Sequence, residues 1–545
     1  LAESALDSLT SIVIRLQELA EQSANGVYGT VQRKSLDAEA QALSKEYFRI
    51  SKSVKFNGLN LFDGSVEELR LQAGYGLDGG VASVVGGAIG TGSFGVGTFL
   101  EGLGGEASVG LRDLNGDGAL DMVMKFGVLI GNGDGTFGAK ISFGEWGMQA
   151  SAVGDLNGDG VPDIVAKKAF SLNVLLGVGD GTFTSLDFGL DFGGVGSGGV
   201  ANSVVLEDLN GDGVLDMVEN LANSAGVRIG NGDGTFGERT TFQLGDSSNG
   251  NKDVTLGDLN GDGVLDIVSA NHELSKLSVL IGNGDGTFGA RTHLSAGNFP
   301  TSVVLGDLNG DSILDLVTVV GTSSTSSATV RIGKGDGTFS AATTIELGGG
   351  PSSVSLGDLN GDGVLDMVAA VGTAFIDPDP VIVLIGNGNG TFSVKTSYAV
   401  GKGISPVVTL GDLNGDGVLD ISTTGSNNCV LLAQTTPGVS PLLPFSLSTM
   451  ADARQALPVF QQKLSQLGAQ RGQIGAFQSR LSVAVNVLSS STENIAAATG
   501  RIRDADVAKE SANLVRNQIL QQAGAAVLAQ ANQQSALVLK LLDSN

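Results

Sequence analysis

A nine-residue pattern, Asp-x-Asn-x-Asp-x-x-x-Asp, recurs seven times in the middle of the chain and strongly limits what the chain can fold into. Its copies begin at residues 113, 155, 208, 258, 307, 358 and 412, at spacings of 42 to 54 residues. Between the copies lie short runs of Val, Leu and Ile, separated by Gly, Asn and Asp. Repeats of this length are typical of four-stranded propeller blades. The pattern therefore predicts a seven-bladed, all-β propeller over residues 77–445.

The composition agrees with many ordered turns and argues against several kinds of partner. The chain has 545 residues, with 84 Gly but only 10 Pro, and a formal net charge of −26. Such a charge repels nucleic acid and anionic membrane surfaces. The single cysteine, Cys429, excludes an intramolecular disulfide and a cysteine-based zinc cluster. The net charge leads us to expect no nucleic-acid partner. No apolar run approaches 18 residues and no Sec-type signal is visible, so we also expect no membrane insertion.

Each copy of the pattern carries the oxygen ligands of a metal-binding loop. Oxygens at positions 1, 3 and 5 of a tight loop converge, a Gly at position 6 permits the turn, and an Asp at position 9 closes the shell. Hard oxygen ligands in this number favour calcium. We therefore predict up to seven calcium ions, with a carbonyl at position 7 as a further ligand. The predicted side-chain ligands are Asp113, Asn115, Asp117, Asp121, Asp155, Asn157, Asp159, Asp163, Asp208, Asn210, Asp212, Asp216, Asp258, Asn260, Asp262, Asp266, Asp307, Asn309, Asp311, Asp315, Asp358, Asn360, Asp362, Asp366, Asp412, Asn414, Asp416 and Asp420.

Two other interpretations of these loops were weighed. An EF-hand needs a Glu at position 12 between two helices, and only the third copy has one, Glu219. Asx-rich turns without metal are the second alternative, although three carboxylates within nine residues would repel one another without a cation. The fifth copy has Ser312 where the others have Gly, which makes it the least secure of the seven sites.

A second signature predicts how the propeller closes. A Gly-rich turn ending in Gly-Thr-Phe follows each of the first six loops, as in residues 131–137, and we interpret it as a hairpin with a core Phe. No such signature follows the seventh loop, but Gly97-Thr98-Phe99 precedes the first. A strand from the start of the domain should therefore complete the last blade, which removes exposed sheet edges and brings the ends of the domain together.

The two ends of the chain, residues 1–76 and 446–545, have a helical pattern instead. Apolar residues at spacings of three and four near the N-terminus predict a helix buried on one face, and a seven-residue apolar repeat near the C-terminus predicts a helix that seeks partner helices. Pro458 is expected near the start of the C-terminal helix. The residues of these two patterns are Leu9, Ile12, Val13, Leu16, Leu19, and Phe460, Leu467, Ile474, Leu481, Leu488.

Both ends resemble the terminal regions of bacterial flagellins. The N-terminal likeness runs through LQELAEQSANG at 16–26 and FNGLNLFDG at 56–64, and the C-terminal likeness through RIRDAD at 501–506, QILQQAG at 518–524 and LAQAN at 528–532. The central loops resemble the FG-GAP (VCBS-type) repeat, the blade unit of integrin α-subunit propellers.

These resemblances imply an α+β multidomain protein: a helical, coiled-coil-like rod (D1 and part of D0 in flagellins) with an inserted seven-bladed propeller. The implied domains are residues 1–76, 77–445 and 446–545. Flagellins are extracellular filament subunits that polymerise with copies of themselves and leave the cell through the flagellar export apparatus with a chaperone. They begin with helices ahead of the segment that matches Leu1. Those helices are expected to lie outside this chain, which as written should not polymerise normally.

Rival functions for the inserted domain follow from other features. A zinc peptidase needs His-Glu-x-x-His, but Lys276 stands where the second His should follow His272. Propeller sialidases carry Asp boxes ending in Gly-x-Thr-Trp, which this chain lacks. We therefore expect no enzymatic activity. The alternatives to a plain filament subunit are a calcium-dependent adhesin for glycans, host or matrix surfaces, and an inert outer spacer or sheath on a hook-associated or flagellin-like protein.

Overall fold

The computed structural model divides the chain into two compact units. One contains Leu1–Glu68 and Val84–Ile474, and the other Leu69–Ser83 and Gly475–Asn545. The residues whose structure is described are 2–25, 27–66, 69–72, 80–84, 87–100, 108–143, 148–168, 171–191, 203–245, 250–322, 325–372, 380–401, 407–424 and 428–542. The predicted domain boundary at residues 76 and 77 lies outside them, and both boundaries remain predictions.

Two N-terminal helices pack against each other in the first unit. They are α1 (Ala2–Ser23) and α2 (Thr30–Ser53), and the predicted stripe of α1 is buried at Leu9, Val13, Leu16 and Leu19. A short hairpin of β1 (Lys55–Phe56) and β2 (Leu59–Asn60) follows α2. Its turn has positive φ at Asn57 and Gly58, as a two-residue hairpin requires.

Seven four-stranded antiparallel sheets form the predicted propeller. Four further strands pair outside the blades. In the second unit, β3 (Leu69–Gln72) pairs with β4 (Gly80–Ser83), and in the first unit β5 (Gly87–Phe94) pairs with β34 (Ala433–Gly438). The blade strands are β6 (Thr98–Leu100), β7 (Ser108–Arg112), β8 (Asp121–Met124), β9 (Gly127–Leu129), β10 (Ile141–Ser142), β11 (Met148–Gly154), β12 (Asp163–Lys168), β13 (Ser171–Gly177), β14 (Phe183–Asp191), β15 (Val204–Glu207), β16 (Asp216–Asn220), β17 (Ser224–Arg228), β18 (Thr240–Gln243), β19 (Asn251–Gly257), β20 (Asp266–Asn271), β21 (Lys276–Leu280), β22 (Thr292–Ser295), β23 (Pro300–Gly306), β24 (Asp315–Thr322), β25 (Thr325–Arg331), β26 (Thr343–Glu346), β27 (Gly350–Gly357), β28 (Asp366–Gly372), β29 (Pro380–Gly386), β30 (Phe392–Ala399), β31 (Val407–Gly411), β32 (Asp420–Thr424) and β33 (Asn428–Leu431).

The ring closes in the way that the displaced Gly-Thr-Phe signature predicts. Blades one to six take four consecutive strands each, starting at β7, whereas the seventh consists of β31, β32, β33 and β6. In that blade Phe99 pairs with Cys429 and Thr98 with Val430. The hairpin of blade one also donates a hydrogen bond from Gly135 N to the carbonyl oxygen of Leu413 in blade seven, at 2.9 Å. The strand taken from the start of the domain therefore joins its two ends.

The propeller core lies between neighbouring blades. The second strand of most blades is buried along its whole length, as in β16 and β20, because its two faces pack against different blades. One such cluster joins Val218 and Val227 of blade three to Val254 and Leu280 of blade four. Burial of apolar side chains between all adjacent blades stabilises the ring at roughly 25 cal/mol for each Å² removed from water.

Glu219 is a buried charge within this core, and its partners exclude the EF-hand interpretation. Its side chain is fully buried and lies in strand β16. One carboxylate oxygen accepts from Arg228 Nε at 2.7 Å and the other from an Arg239 guanidinium nitrogen at 3.1 Å. The residue at position 12 of the third loop is therefore a structural ion-pair partner rather than a metal ligand.

We expect Glu219→Ala to lower the free energy of unfolding by about 3 kcal/mol, because removing one partner of a buried ion pair leaves its charges uncompensated. Urea denaturation followed by circular dichroism would measure the change. Glu238→Ala, at an exposed position of the same blade, is the matched control and should change stability by less than about 0.5 kcal/mol. Equal effects of the two substitutions would contradict this account of Glu219.

A single long helix, α3 (Met450–Leu542), forms the C-terminal end. Thr449 caps it: its hydroxyl accepts from Asp452 N at 3.0 Å and donates to the Asp452 carboxylate at 2.7 Å. This cap starts the helix eight residues before Pro458, so the expectation that Pro458 lies at the helix start was wrong. Of the predicted seven-residue repeat, Phe460, Leu467 and Ile474 are buried. Within the helices that the structure describes, no segment has the length and apolar character of a membrane span.

Candidate metal centre

The seven Asp-rich loops lie on one face of the propeller, which we call the loop face. Each loop connects the first strand of a blade to the second, as residues 113–121 connect β7 to β8. The Gly-rich hairpin between the third and fourth strands, as at residues 131–137, returns to the same face because the strands of a blade are antiparallel. The loop face comprises residues 113–121, 155–163, 208–216, 258–266, 307–315, 358–366 and 412–420.

The Asp side chains at positions 1 and 9 bind the loop backbone itself. In the first loop the two carboxylate oxygens of Asp113 accept from Gly116 N and Gly118 N at 2.7 and 2.9 Å. Asp121 accepts from Leu114 N at 2.7 Å and, across the blade, from Gly131 N at 2.7 Å. The position-9 contacts recur in every loop. These two positions therefore shape each loop through hydrogen bonds.

Positions 3 and 5 lie nearer to solvent. Asn115 Nδ2 donates to the Asp117 carboxylate at 2.9 Å, and Asn115 Oδ1 accepts from Asp117 N at 2.9 Å. The position-3 Asn is half-buried in all seven loops. The position-5 Asp is exposed in six loops and half-buried in the seventh, at Asp416.

Burial raises the pKa of the position-9 carboxylates, and the negative charges at positions 1 and 5 raise it further. All seven position-9 side chains are buried. The pKa rises to about 6 at Asp121 and Asp216, and to about 7 at Asp163, Asp366 and Asp420. Burial also raises the pKa of Asp266 and Asp315. Negative charge in these loops is therefore incompletely compensated by the protein.

The donor set fits a hard divalent cation. Each loop offers three carboxylates and one amide oxygen, and a carboxylate that accepts one or two N–H groups still has free lone pairs. As their side chains stand, the described residues contain no group of three or more His, Cys, Asp or Glu arranged to hold a metal ion. Binding in the predicted manner would thus require side-chain rotation within a loop whose backbone is already fixed.

Ser312, the departure in the fifth loop, keeps the same backbone conformation as glycine. Its φ is +67°, beside +88° and +80° for Gly118 and Gly263 at the same position. Ser312 N also donates to the Asp307 carboxylate at 2.7 Å, as the glycines do in the other loops. The fifth loop therefore has the shape of the others, held at some cost in backbone strain.

We expect Ser312→Gly to raise the free energy of unfolding by about 1 kcal/mol, because a left-handed conformation costs a non-glycine residue roughly that much. Thermal denaturation in EGTA would measure it without any contribution from metal. Gly263→Ser at the same position of the fourth loop is the reverse control and should be destabilising by a similar amount. If Ser312→Gly is neutral or destabilising, strain at this residue is not significant.

Helices contact the loop face in ways that the sequence patterns did not predict. Three lysines of α2 approach three successive loops: Lys34 Nζ donates to Gly263 O at 3.0 Å, and Lys45 Nζ to Ser312 Oγ at 3.4 Å. Burial lowers the pKa of Lys52, and the nearby negative charges of Asp358 and Asp362 in the sixth loop partly oppose this effect. Spacings of 11 and 7 residues put these lysines on one side of the helix, a signal the sequence did contain.

The start of α3 covers loops two and seven. A guanidinium nitrogen of Arg454 donates to Gly158 O at 2.8 Å in the second loop. In the seventh, Gln462 Nε2 donates to the Asp412 carboxylate at 3.1 Å and Gln466 Nε2 to Gly415 O at 3.2 Å. The chain's own helices therefore contact part of the loop face, while the position-5 carboxylates of six loops stay exposed.

Comparison with known proteins identifies the helical ends. A family model of the bacterial flagellin N-terminal helical region matches residues 1–67, and one of the C-terminal helical region matches residues 457–542. The two helical ends belong to the flagellin family. Between the flagellin ends, a model of the FG-GAP-like repeat matches residues 113–166, 220–269, 258–318, 319–369 and 371–422. The resemblances stated from the sequence are confirmed.

Individual relatives cover only parts of the chain. The B-type flagellin of Pseudomonas aeruginosa is 32% identical over 197 residues, which is 34% of this chain and 40% of that protein. The flagellin of Bacillus subtilis is 50% identical over 86 residues, 16% of this chain and 28% of that protein. The chain thus spans less than half the length of these curated relatives.

Among solved structures, an Agrocybe aegerita lectin that recognises non-reducing terminal N-acetylglucosamine is 21% identical, with a TM-score of 0.42 over 61% of this chain and 94% of its own. A Staphylococcus aureus virginiamycin B lyase is 11% identical, with a TM-score of 0.41 over 63% of this chain and 100% of its own.

Proposed function

We propose that this chain is a structural subunit of the bacterial flagellar filament, outside the cell, whose flagellin ends build the shaft and whose propeller is carried on the filament and binds calcium through the loop face. Its partners would be other flagellin subunits in the filament, and the flagellar export apparatus with its chaperone before assembly. The flagellin family is structural and has no enzymatic role.

One observation carries the filament proposal: large apolar side chains are exposed along α3 after residue 474. Leu514, Ile519 and Leu528 are 60%, 60% and 67% exposed. Apolar rows of this kind on a helix seek partner helices, and flagellin relatives share this segment. Neighbouring subunits would supply such partners.

The test is filament formation in the native cell. Ile519→Asp in the chromosomal copy should abolish filaments seen by negative-stain electron microscopy, because a buried charge at a helix interface lacks a partner. Gln518→Glu, at the adjacent exposed position, is the matched control and should leave the filaments intact. Normal filaments containing the Ile519→Asp protein would exclude this interface.

Calcium binding is supported by the oxygen donors of the loops and by the uncompensated charge of their buried carboxylates. The position 1, 3, 5 and 9 side chains would hold the ion, and the ion would neutralise carboxylates that now repel one another. Equilibrium dialysis of the purified protein against calcium should give up to seven sites, and no bound calcium at millimolar concentration would refute this part of the proposal.

A second role, adhesion, is favoured by the face opposite the loop face. The turn between β8 and β9 there holds Phe126, with Lys125 Nζ and Lys140 Nζ at 5.4 and 6.0 Å from its ring centre. Burial and the nearby charge of Lys125 lower the pKa of Lys167 in the adjacent blade. Cations grouped around an aromatic ring, in a chain of net charge −26, suit an acidic glycan.

Acidic glycans on an array, or glycan-bearing cells, would test this role. The double variant Lys125→Gln, Lys167→Gln should lose binding, whereas Lys334→Gln, in a hairpin on the loop face, should retain it. Filaments that lack residues 80–445 but swim and adhere like the parent would instead support a spacer or sheath.

A further inference from the structure

An arginine at the start of α3 reaches the second loop. Arg454 donates to Gly158 O, at position 4, and its guanidinium lies 3.8 Å from the position-1 carboxylate of Asp155. The lysines of α2 reach loops four and five only at position 6, through a carbonyl oxygen and a hydroxyl group. A guanidinium beside a position-1 carboxylate lies next to the predicted calcium position. Its positive charge would therefore oppose the binding of calcium in this loop.

Arg454 packs closely against the turn of the second loop. Gly160 has a φ of +89°, and a Cβ added there would lie 2.6 Å from Cδ and from a guanidinium nitrogen of Arg454. The Asp155 side chain is only 4% exposed, whereas that of Arg454 is 30% exposed. The Asp155 carboxylate is therefore largely shielded from water and close to a fixed positive charge, which strengthens their interaction.

We propose that Arg454 is a built-in counter-ion of the second loop, which ties α3 to the propeller without metal and weakens the affinity of this loop for calcium. The weaker affinity rests on the calcium binding proposed above. A unit positive charge near 4 Å from a ligand carboxylate opposes a divalent cation by enough to weaken its binding about tenfold or more. The contacts of Arg454 with this loop do not require metal.

Calcium affinities of designed variants test the first part. Arg454→Met should tighten one site about tenfold, and Arg454→Lys, which keeps the charge, should tighten it much less. Arg471→Met, in the same helix but with a guanidinium that pairs with Asp7 rather than with a loop residue, is the matched control and should leave all affinities unchanged. Unaltered affinities in Arg454→Met would overturn the inference.

Thermal denaturation in EGTA tests the second part independently of calcium. Arg454→Met should destabilise the protein, and this effect should shrink when Asp155→Asn is also present, because the carboxylate that needs the counter-ion is gone. Strictly additive effects of the two substitutions would overturn the counter-ion role. If the parent binds no calcium in any loop, the calcium proposal fails, and this double-mutant cycle still decides whether Arg454 compensates Asp155.

Discussion

We expect chelation of calcium with EGTA to lower the thermal midpoint of the unit that contains the propeller, and this is the largest change that we expect from any treatment of this protein. The seven loops place 21 Asp carboxylates on one face, and the buried position-9 groups repel their neighbours without a cation. An ion present at 100 times its dissociation constant adds about 2.7 kcal/mol for each site that exists only in the folded state. Differential scanning calorimetry with calcium and with EGTA would measure the combined effect.

Two aspartates of the second blade provide a matched pair for this experiment. Asp159 at position 5 of the loop and Asp180 in the following hairpin are both exposed, and each accepts a backbone N–H two residues ahead, at 2.8 and 2.9 Å. Asp159→Asn should reduce the calcium-dependent shift by the share of one site, whereas Asp180→Asn should leave it unchanged. Identical midpoints of the parent protein in calcium and in EGTA would contradict calcium binding.

The propeller could be predicted from the sequence because its signals are local and repeated. Loop and hairpin signatures alternate along the chain, so the number of blades and the place of each turn follow from counting. Closure was also predictable, since the signature missing after the seventh loop stands at Thr98 and Phe99, which pair with the seventh blade. That these Asp and Asn residues form turns also follows from the sequence, because Asx turns depend on residues within a few positions of one another, whereas their role as metal ligands stays a prediction.

The arrangement of helices on the loop face depends on contacts between residues far apart in the chain. Gln462 and Asp412 are 50 residues apart, and Lys34 and Gly263 are 229 residues apart, so no local pattern relates them. The lysine spacing in α2 does indicate one positively charged side of that helix. Its partner, the loop face, can be recognised only once the seven acidic loops are known to lie on one face of the propeller. For the same reason the sequence did not reveal that helices contact the loop face.

The roles of the loop carboxylates were only partly predictable. The spacing indicates which side chains carry ligand oxygens. It does not indicate that both carboxylate oxygens of Asp113 and of Asp121 accept hydrogen bonds from backbone N–H groups. Those bonds depend on the strand pairing of the whole blade, as the contact with Gly131 shows. The interpretation as Asx-rich turns thus describes the hydrogen bonds, and calcium binding remains a proposal for the same residues.

Phe460→Ala is expected to lower the free energy of unfolding of the helices on the loop face by about 4 kcal/mol, since truncating a buried phenylalanine removes its contacts and leaves a cavity. Phe460 is fully buried, with its ring edge-on to Phe445 at 4.8 Å between centres. It belongs to the stretch of α3 between Arg454 and Gln462 that contacts loops two and seven. Hydrogen exchange and urea denaturation would measure the loss, and Gln461→Ala at the exposed neighbouring position should cost less than about 0.5 kcal/mol.

The location of the loss is as informative as its size. The described core clusters of the propeller join side chains of adjacent blades and do not include Phe460. Amide protection should therefore fall first in α1, α2 and residues 450–474, while central strands such as β16 and β20 keep theirs, because regions with separate cores open separately. A loss of amide protection spread evenly through the blades would mean that the helices and the propeller unfold as one cooperative unit. A decrease in the free energy of unfolding below about 1 kcal/mol would contradict the packing of α3 against the loop face.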